Sequence, residues 1–259
     1  MKIQQIRNAT IKVYCAGKCL LIDPWFQKKG TGLCAPSPDP EKAKLPSPSV
    51  ELPFSVEEIM ADVDAIVVTH IHPDHFDPET ASMLDKAIPV FASDAQTKSQ
   101  IERFGYASVS VLPDDGTAFG GVTLHRTDAM HGPVPERTAG AACGVILTAP
   151  EEPTLYIAGD SVYYDGVQRA LTRHQPDVIV LNACGAEMMG IGRLIMDAED
   201  VWKVCQAAPN AAVVASHMEA VNHAAVTRDD LRRYLTARGA INRVHIPADG
   251  ETLAFSLPQ

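Results

Sequence analysis

A chain of 259 residues with 46% hydrophobic and 21% charged residues has ordinary globular composition and can bury a sizeable core, here expected as one large domain. Its formal net charge of −10 argues against a nucleic-acid partner, and no run of about 18 apolar residues offers a membrane span. Residues 1–7 alternate like a strand, without an apolar core of signal-peptide length, so a cytoplasmic protein is expected.

Taken in order, residues 2–6, 10–15 and 18–23 read as a meander of short strands stopped by Asp23-Pro24. Residues 24–53 then hold seven of the 19 prolines, a composition that fixes φ and removes donors. An insertion of this kind, about 24–55, is either a functional rim or disordered. Ser55-Val56-Glu57-Glu58 is a capping box for a short helix, and the apolar run 64–68 is a buried strand. A helix over 78–87, a strand over 88–91 and a helix over 94–104 follow. Residues 107–112 and 117–127 read as strands. Segments 143–149 and 154–158 make a hairpin-like pair, and then come a helix over 162–174 and a buried strand over 177–183. A glycine-bearing loop at 185–193, a helix over 198–207 capped by Asp197, and a strand over 211–216 continue the pattern. A second capping box at Thr227 starts a helix to Arg238, and strands near 243–246 and 252–257 close the chain. The six cysteines (Cys15, Cys19, Cys34, Cys143, Cys184, Cys205) form no C-x-x-C pair and read as reduced and structural.

The chemistry concentrates at Thr69-His70-Ile71-His72-Pro73-Asp74-His75, directly after the apolar run. With 9 His in 259 residues, the chance of H-x-H-x-D-H in a random chain of this composition is on the order of 10⁻³. Alternate residues of an extended segment point the same way, so His70 and His72 can reach one ion, while Asp74 and His75 on the turning loop can reach a second. Imidazole with carboxylate suits zinc, manganese or iron. Further polar residues stand at other strand exits: His131, Asp160 after Gly159, and His217.

In these features the sequence resembles the metallo-β-lactamase superfamily, whose H-x-H-x-D-H motif, later His, Gly-Asp and final His match in order over nearly the whole chain. The resemblance implies an α+β fold, an αββα sandwich of two mixed sheets flanked by helices. It implies two divalent metal ions, zinc by ligand type with Mn2+ or Fe2+ as alternatives. His70, His72 and His131 would hold the first, Asp74, His75 and His217 the second, and Asp160 would bridge them. Residues 20–25 and 189–198 are most similar to the branch containing L-ascorbate-6-phosphate lactonase. A metal-bridging hydroxide is then the expected nucleophile, for two divalent ions, two carboxylates and a hydroxide leave about +1 on the cluster. Asp74 would handle a proton as the leaving group departs. Lactonases of the superfamily show a similar Asp-x-x-Tyr, which gives Tyr163 a substrate contact.

Three weaker candidates are Arg193 and Arg137, either of which could clamp an anion, and His223 beside Asn222. His125 lies six residues before His131 on an extended run, about 20 Å away, and with His174 and His245 reads as structural. The expected function is hydrolysis of a small, anionic ester or lactone, with a phosphodiesterase as the enzymatic rival and a non-catalytic metal-binding scaffold as the other. The expected partner is a small-molecule substrate, with a homo-oligomer left open.

Overall fold

A computed structural model describes residues 1–133 and 141–257. Strands β1 (Lys2–Arg7), β2 (Thr10–Cys15) and β3 (Lys18–Ile22) form the expected meander. Next come α1 (Val56–Met60), β4 (Ala65–Val68), α2 (Pro78–Met83), β5 (Val90–Ala92), α3 (Ala95–Arg103) and β6 (Val109–Val111). The second half has β7 (Thr117–Phe119), β8 (Val122–Asp128), β9 (Cys143–Thr148), β10 (Leu155–Ile157), α4 (Asp165–His174) and β11 (Val178–Asn182). It ends with β12 (Glu187–Met188), β13 (Gly192–Arg193), α5 (Ala198–Ala207), β14 (Ala212–Ser216), α6 (Arg228–Ala237), β15 (Val244–His245) and β16 (Thr252–Ala254).

Two seven-stranded sheets result, ordered β16-β1-β2-β3-β4-β5-β6 and β15-β14-β11-β10-β9-β8-β7, with β12 and β13 as a separate hairpin. Each sheet is an antiparallel meander that turns into parallel strands, at β3–β4 in the first and β10–β11 in the second. Parallel strands must be covered on both faces, and β4 and β11 are accordingly buried at every position. Ile11, Leu20, Val67, Val145, Leu147 and Val180 fill the space between the sheets. Separate cores lie outside them, one beneath the helices of the first half around Ile66, Phe76 and Ile101, the other beneath α4, α5 and α6. The αββα sandwich is therefore the fold, and among the described residues no helix is long and apolar enough to cross a membrane.

Both capping boxes form, at Ser55/Glu58 and Thr227/Asp230. Among the element boundaries that differ from expectation are these three. Residues 117–127 make two strands rather than one, because Gly120 and Gly121 take φ of 55° and 91° and turn the chain as a hairpin with Phe119 opposite Val122. Helix α2 stops at Met83, where Leu84 becomes extended and buries its side chain. Helix α4 starts at Asp165, which leaves Tyr163 in the loop before it.

The proline-rich segment 24–53 is a wall held by named contacts. Arg7, fully buried, donates to the carbonyls of Trp25 (2.8 Å), Gln27 (2.9 Å) and Val50 (3.2 Å). Asn222 clamps Ala35 and Lys42, and the Ser49 hydroxyl donates to Glu219 O at 2.5 Å. Burial lowers the Arg7 pKa to about 10, yet the guanidinium stays charged, with Trp25 at 5.0 Å from its carbon.

Candidate metal centre

The strand exits of both sheets meet at one edge. β4 delivers residues 70–75, the loop after β8 delivers His131, β10 delivers Asp160 and β14 delivers His217. Two groups of donors form there, His70, His72, His131 and Asp160 in one and Asp74, His75 and His217 in the other, each with its ligand atoms within 4.8 Å of one another. All seven residues singled out as metal donors are thus brought together, and Asp160 adjoins both groups, its Oδ2 3.3 Å from the Nε2 atoms of His75 and His131.

The hydrogen bonds behind the rings fix which nitrogen is free. Asp23 Oδ1 accepts from the Thr69 amide (2.7 Å), and Oδ2 accepts from the Thr69 hydroxyl (2.6 Å) and from His75 Nδ1 (2.8 Å). Having given its proton to Asp23, the Thr69 oxygen accepts from His70 Nδ1 at 3.2 Å. His131 Nδ1 donates to Leu194 O at 3.1 Å. In neutral rings the Nε2 atoms of His70, His75 and His131 therefore carry lone pairs. Those of His70 and His131 lie 2.9 and 3.0 Å from His72 Nδ1, which has at most one proton to share between them. His75 Nε2 is buried with no hydrogen-bond partner among the described residues. Converging lone pairs and carboxylates repel one another unless a cation sits among them, so these residues fit divalent metal ions.

Charges at the site follow the same arrangement. Burial pushes His70 well below its ordinary pKa and His72 down to about 4, so both are neutral. Burial alone would raise Asp74 and Asp160, but His75, followed by His217, holds both carboxylates well below their usual range. For His75, burial is outweighed by Asp160, Asp23 and Asp74, which bring its pKa up to about 10.

Supporting residues that spacing did not single out surround the donors. Asn182 Nδ2 donates to Asp160 Oδ1 at 2.7 Å, and Asn8 Nδ2 donates to Asp74 Oδ2 and His217 Nε2, both at 3.2 Å. Cys184 Sγ lies 3.6 Å from His217 Nδ1. Asn8, Asp23 and His217 all have positive φ (54°, 45° and 60°), backbone strain of about 1 kcal/mol or more each that the surrounding contacts hold in place. Asp23 stands at a strand exit like the donors, which is the signal that could have marked it.

Two expectations are corrected. Arg193 binds Asp200, Asp197 Oδ2 (3.4 Å) and Ile195 O (3.1 Å), so it ties β13 to the start of α5 and does not line the cavity over the donors. The Tyr163 hydroxyl donates to Gln168 Oε1 at 3.0 Å, and the residue does not line the cavity over the donors. Arg137 lies outside the described residues. His125 and His174 pair with each other, ring centroids 5.9 Å apart, and His245 meets Phe255. His223 does line the cavity.

That cavity, about 310 Å³, opens onto His72, Asp74, His131, Asp160 and His217. Its walls are apolar: Trp25, Leu33 and Pro36 from the insertion face Met188, Leu194 and Val221. Among the described residues, no Lys or Arg lines it.

Residues 19–218 match the model of the beta-lactamase superfamily domain. The chain is 39% identical over 257 residues to UPF0173 protein YddR of Bacillus subtilis, covering 98% of this chain and 100% of that one. It is similar to the crystal structure of isothiocyanate hydrolase from Delia radicum gut bacteria, with 37% identity, TM-score 0.92, and 99% and 100% of the two chains covered. A possible metal-dependent hydrolase from Veillonella parvula has 33% identity and TM-score 0.92, with 98% and 99% covered.

Proposed function

The chain belongs to the metallo-β-lactamase superfamily of metal-dependent hydrolases, and we propose that it acts on a small uncharged carbon electrophile with an apolar body, an isothiocyanate or a lactone. The observation that carries this reading is the apolar wall over the donor clusters, without a described cation to receive a phosphate or carboxylate. The similarity to an isothiocyanate hydrolase supports it. The expected anionic substrate followed from the resemblance to the lactonase branch, with Arg193 and Arg137 as candidate clamps; Arg193 is engaged by Asp197 and Asp200, and Arg137 lies outside the described residues.

In this reading His70, His72 and His131 would hold one divalent ion, Asp74, His75 and His217 would hold another, and Asp160, which adjoins both groups, would serve either. Zinc suits this donor set, with manganese and iron as alternatives. Bound there, such ions supply a Lewis acid and lower the pKa of water to about 7. The chain's own residues do the rest. Asp23, Thr69, Asn182 and Leu194 keep the donor atoms aimed inward. Trp25, Leu33, Pro36 and Leu194 bind the apolar body and exclude bulk water, which strengthens polar interactions at the reacting carbon. Asp74, on the cavity wall, is one of the donors of the second group, its carboxylate held well below the usual range by His75.

The test is a comparison of substrates on zinc-loaded protein: phenethyl isothiocyanate, a medium-chain γ-lactone and bis(p-nitrophenyl) phosphate. One of the two uncharged compounds should exceed the phosphodiester in kcat/KM by roughly 100-fold. Preference for the phosphodiester would contradict the proposal.

A further inference from the structure

His223 lines the cavity with the donors but belongs to neither cluster. The fold uses its backbone, whose carbonyl accepts from the Glu187 amide at 3.0 Å. Its ring has one hydrogen-bond contact among the described residues, from Nδ1 to Asn222 Oδ1 at 3.4 Å. Asn222 is buried, and its amide can be oriented in one way only. Nδ2 donates to the carbonyls of Ala35 (2.9 Å) and Lys42 (3.0 Å), while Oδ1 accepts from the Ala35 amide (3.1 Å) and the Ser47 hydroxyl (3.4 Å). An amide oxygen has no proton to give, so His223 Nδ1 carries the hydrogen of that contact. The neutral ring then has its lone pair on Nε2, which no described residue engages. Burial lowers the His223 pKa, against the pull of Asp74, which keeps the ring neutral.

We propose that His223 is the proton-transfer residue of this pocket, its Nε2 accepting a proton from the attacking water and returning it to the heteroatom of the electrophile. The inference rests on the hydrolytic reading above. For an isothiocyanate, an oxygen–carbon bond forms and the C=N π pair moves to nitrogen. The proton lost by water reaches that nitrogen through Nε2, giving a thiocarbamic acid; its remaining O–H proton then passes to nitrogen as the C–N bond breaks with its pair on nitrogen, leaving the amine and carbonyl sulfide. For a lactone, the ring C–O bond breaks and the alkoxide oxygen takes the proton. His223 ends each cycle as it began. Since Ala35, Lys42 and Ser47 hold Asn222, the proline-rich insertion shapes the cavity and also sets the tautomer of the ring.

Nitrogen-15 chemical shifts of the histidine rings at pH 7 test the tautomer without turnover, in metal-free protein and with zinc added. The His223 signals are identified by their loss in His223→Gln. The expected result is a protonated Nδ1 and an unprotonated Nε2; hydrogen on Nε2 would overturn the inference. In zinc-loaded protein, His223→Gln should lower kcat about 100-fold with metal content unchanged. Added imidazole should restore part of the activity of His223→Ala. Wild-type kcat in His223→Gln would overturn the inference and leave the hydrolytic reading standing. Should the wild type turn over no uncharged electrophile, the hydrolytic reading fails, and the proton transfer that rests on it fails as well, even with the expected tautomer.

Discussion

The floor of the cavity and its wall are held in different ways. The floor consists of side chains that leave strand ends, His70 and His72 after β4, Asp160 after β10 and His217 after β14, so its positions follow from ladders of backbone hydrogen bonds in two sheets. The wall, residues 24–53, has no strand or α-helix and depends on single side chains from elsewhere, chiefly Arg7 and Asn222. A site built this way separates its chemistry from its selectivity. The floor can keep its donors while the wall changes the substrate, and damage to one should be measurable without the other.

The largest effect should come from the floor. Asp160→Ala removes the carboxylate that adjoins both donor groups, and turnover should fall on the order of 10³-fold with loss of bound metal and an unchanged far-UV spectrum. Full metal content with full activity would break the assignment. Behind the floor, Asp23→Asn should weaken metal binding by about 10- to 100-fold in a chelator competition, because His75 loses the acceptor that aims it. In the wall, Arg7→Met leaves three carbonyls without their donor and should lower unfolding stability by about 3 kcal/mol in denaturant, with metal content retained. Metal loss in that variant would mean that the two regions are not separable. The smallest effect is expected at Leu33, 69% exposed on the rim. Leu33→Ser should raise KM for an apolar substrate by roughly 10-fold and leave stability within about 0.5 kcal/mol.

The same contrast explains what was legible in the sequence. The strands and the donors could be read because each carries a local signal, an apolar run followed by a polar residue, repeated at β4, β10 and β14. Asp23 and Asn182 also follow apolar strands but belong to no motif, Asn8 follows none, and their partners Thr69, Asp74 and Asp160 lie 46, 66 and 22 residues away. Tyr163 and Arg193 misled for the matching reason. Tyr163 follows Asp160 by three residues and Arg193 lies in a glycine-bearing loop, yet Gln168 and Asp200 satisfy their polar atoms locally. The wall was legible in composition alone, since prolines show that a segment leaves regular structure and not what it packs against.

Titration of the metal-free protein with zinc at pH 7, by calorimetry in two buffers of different ionisation heat, tests the central claim most directly. Burial is outweighed by Asp160, Asp23 and Asp74 in bringing His75 up to about 10, so the ring is protonated at pH 7 without metal and must lose that proton to become a ligand. Affinity should accordingly strengthen as pH rises toward 10 and weaken as it falls. Two zinc ions per chain should bind, with net proton release. Absence of zinc binding, or binding without proton release, would contradict that claim.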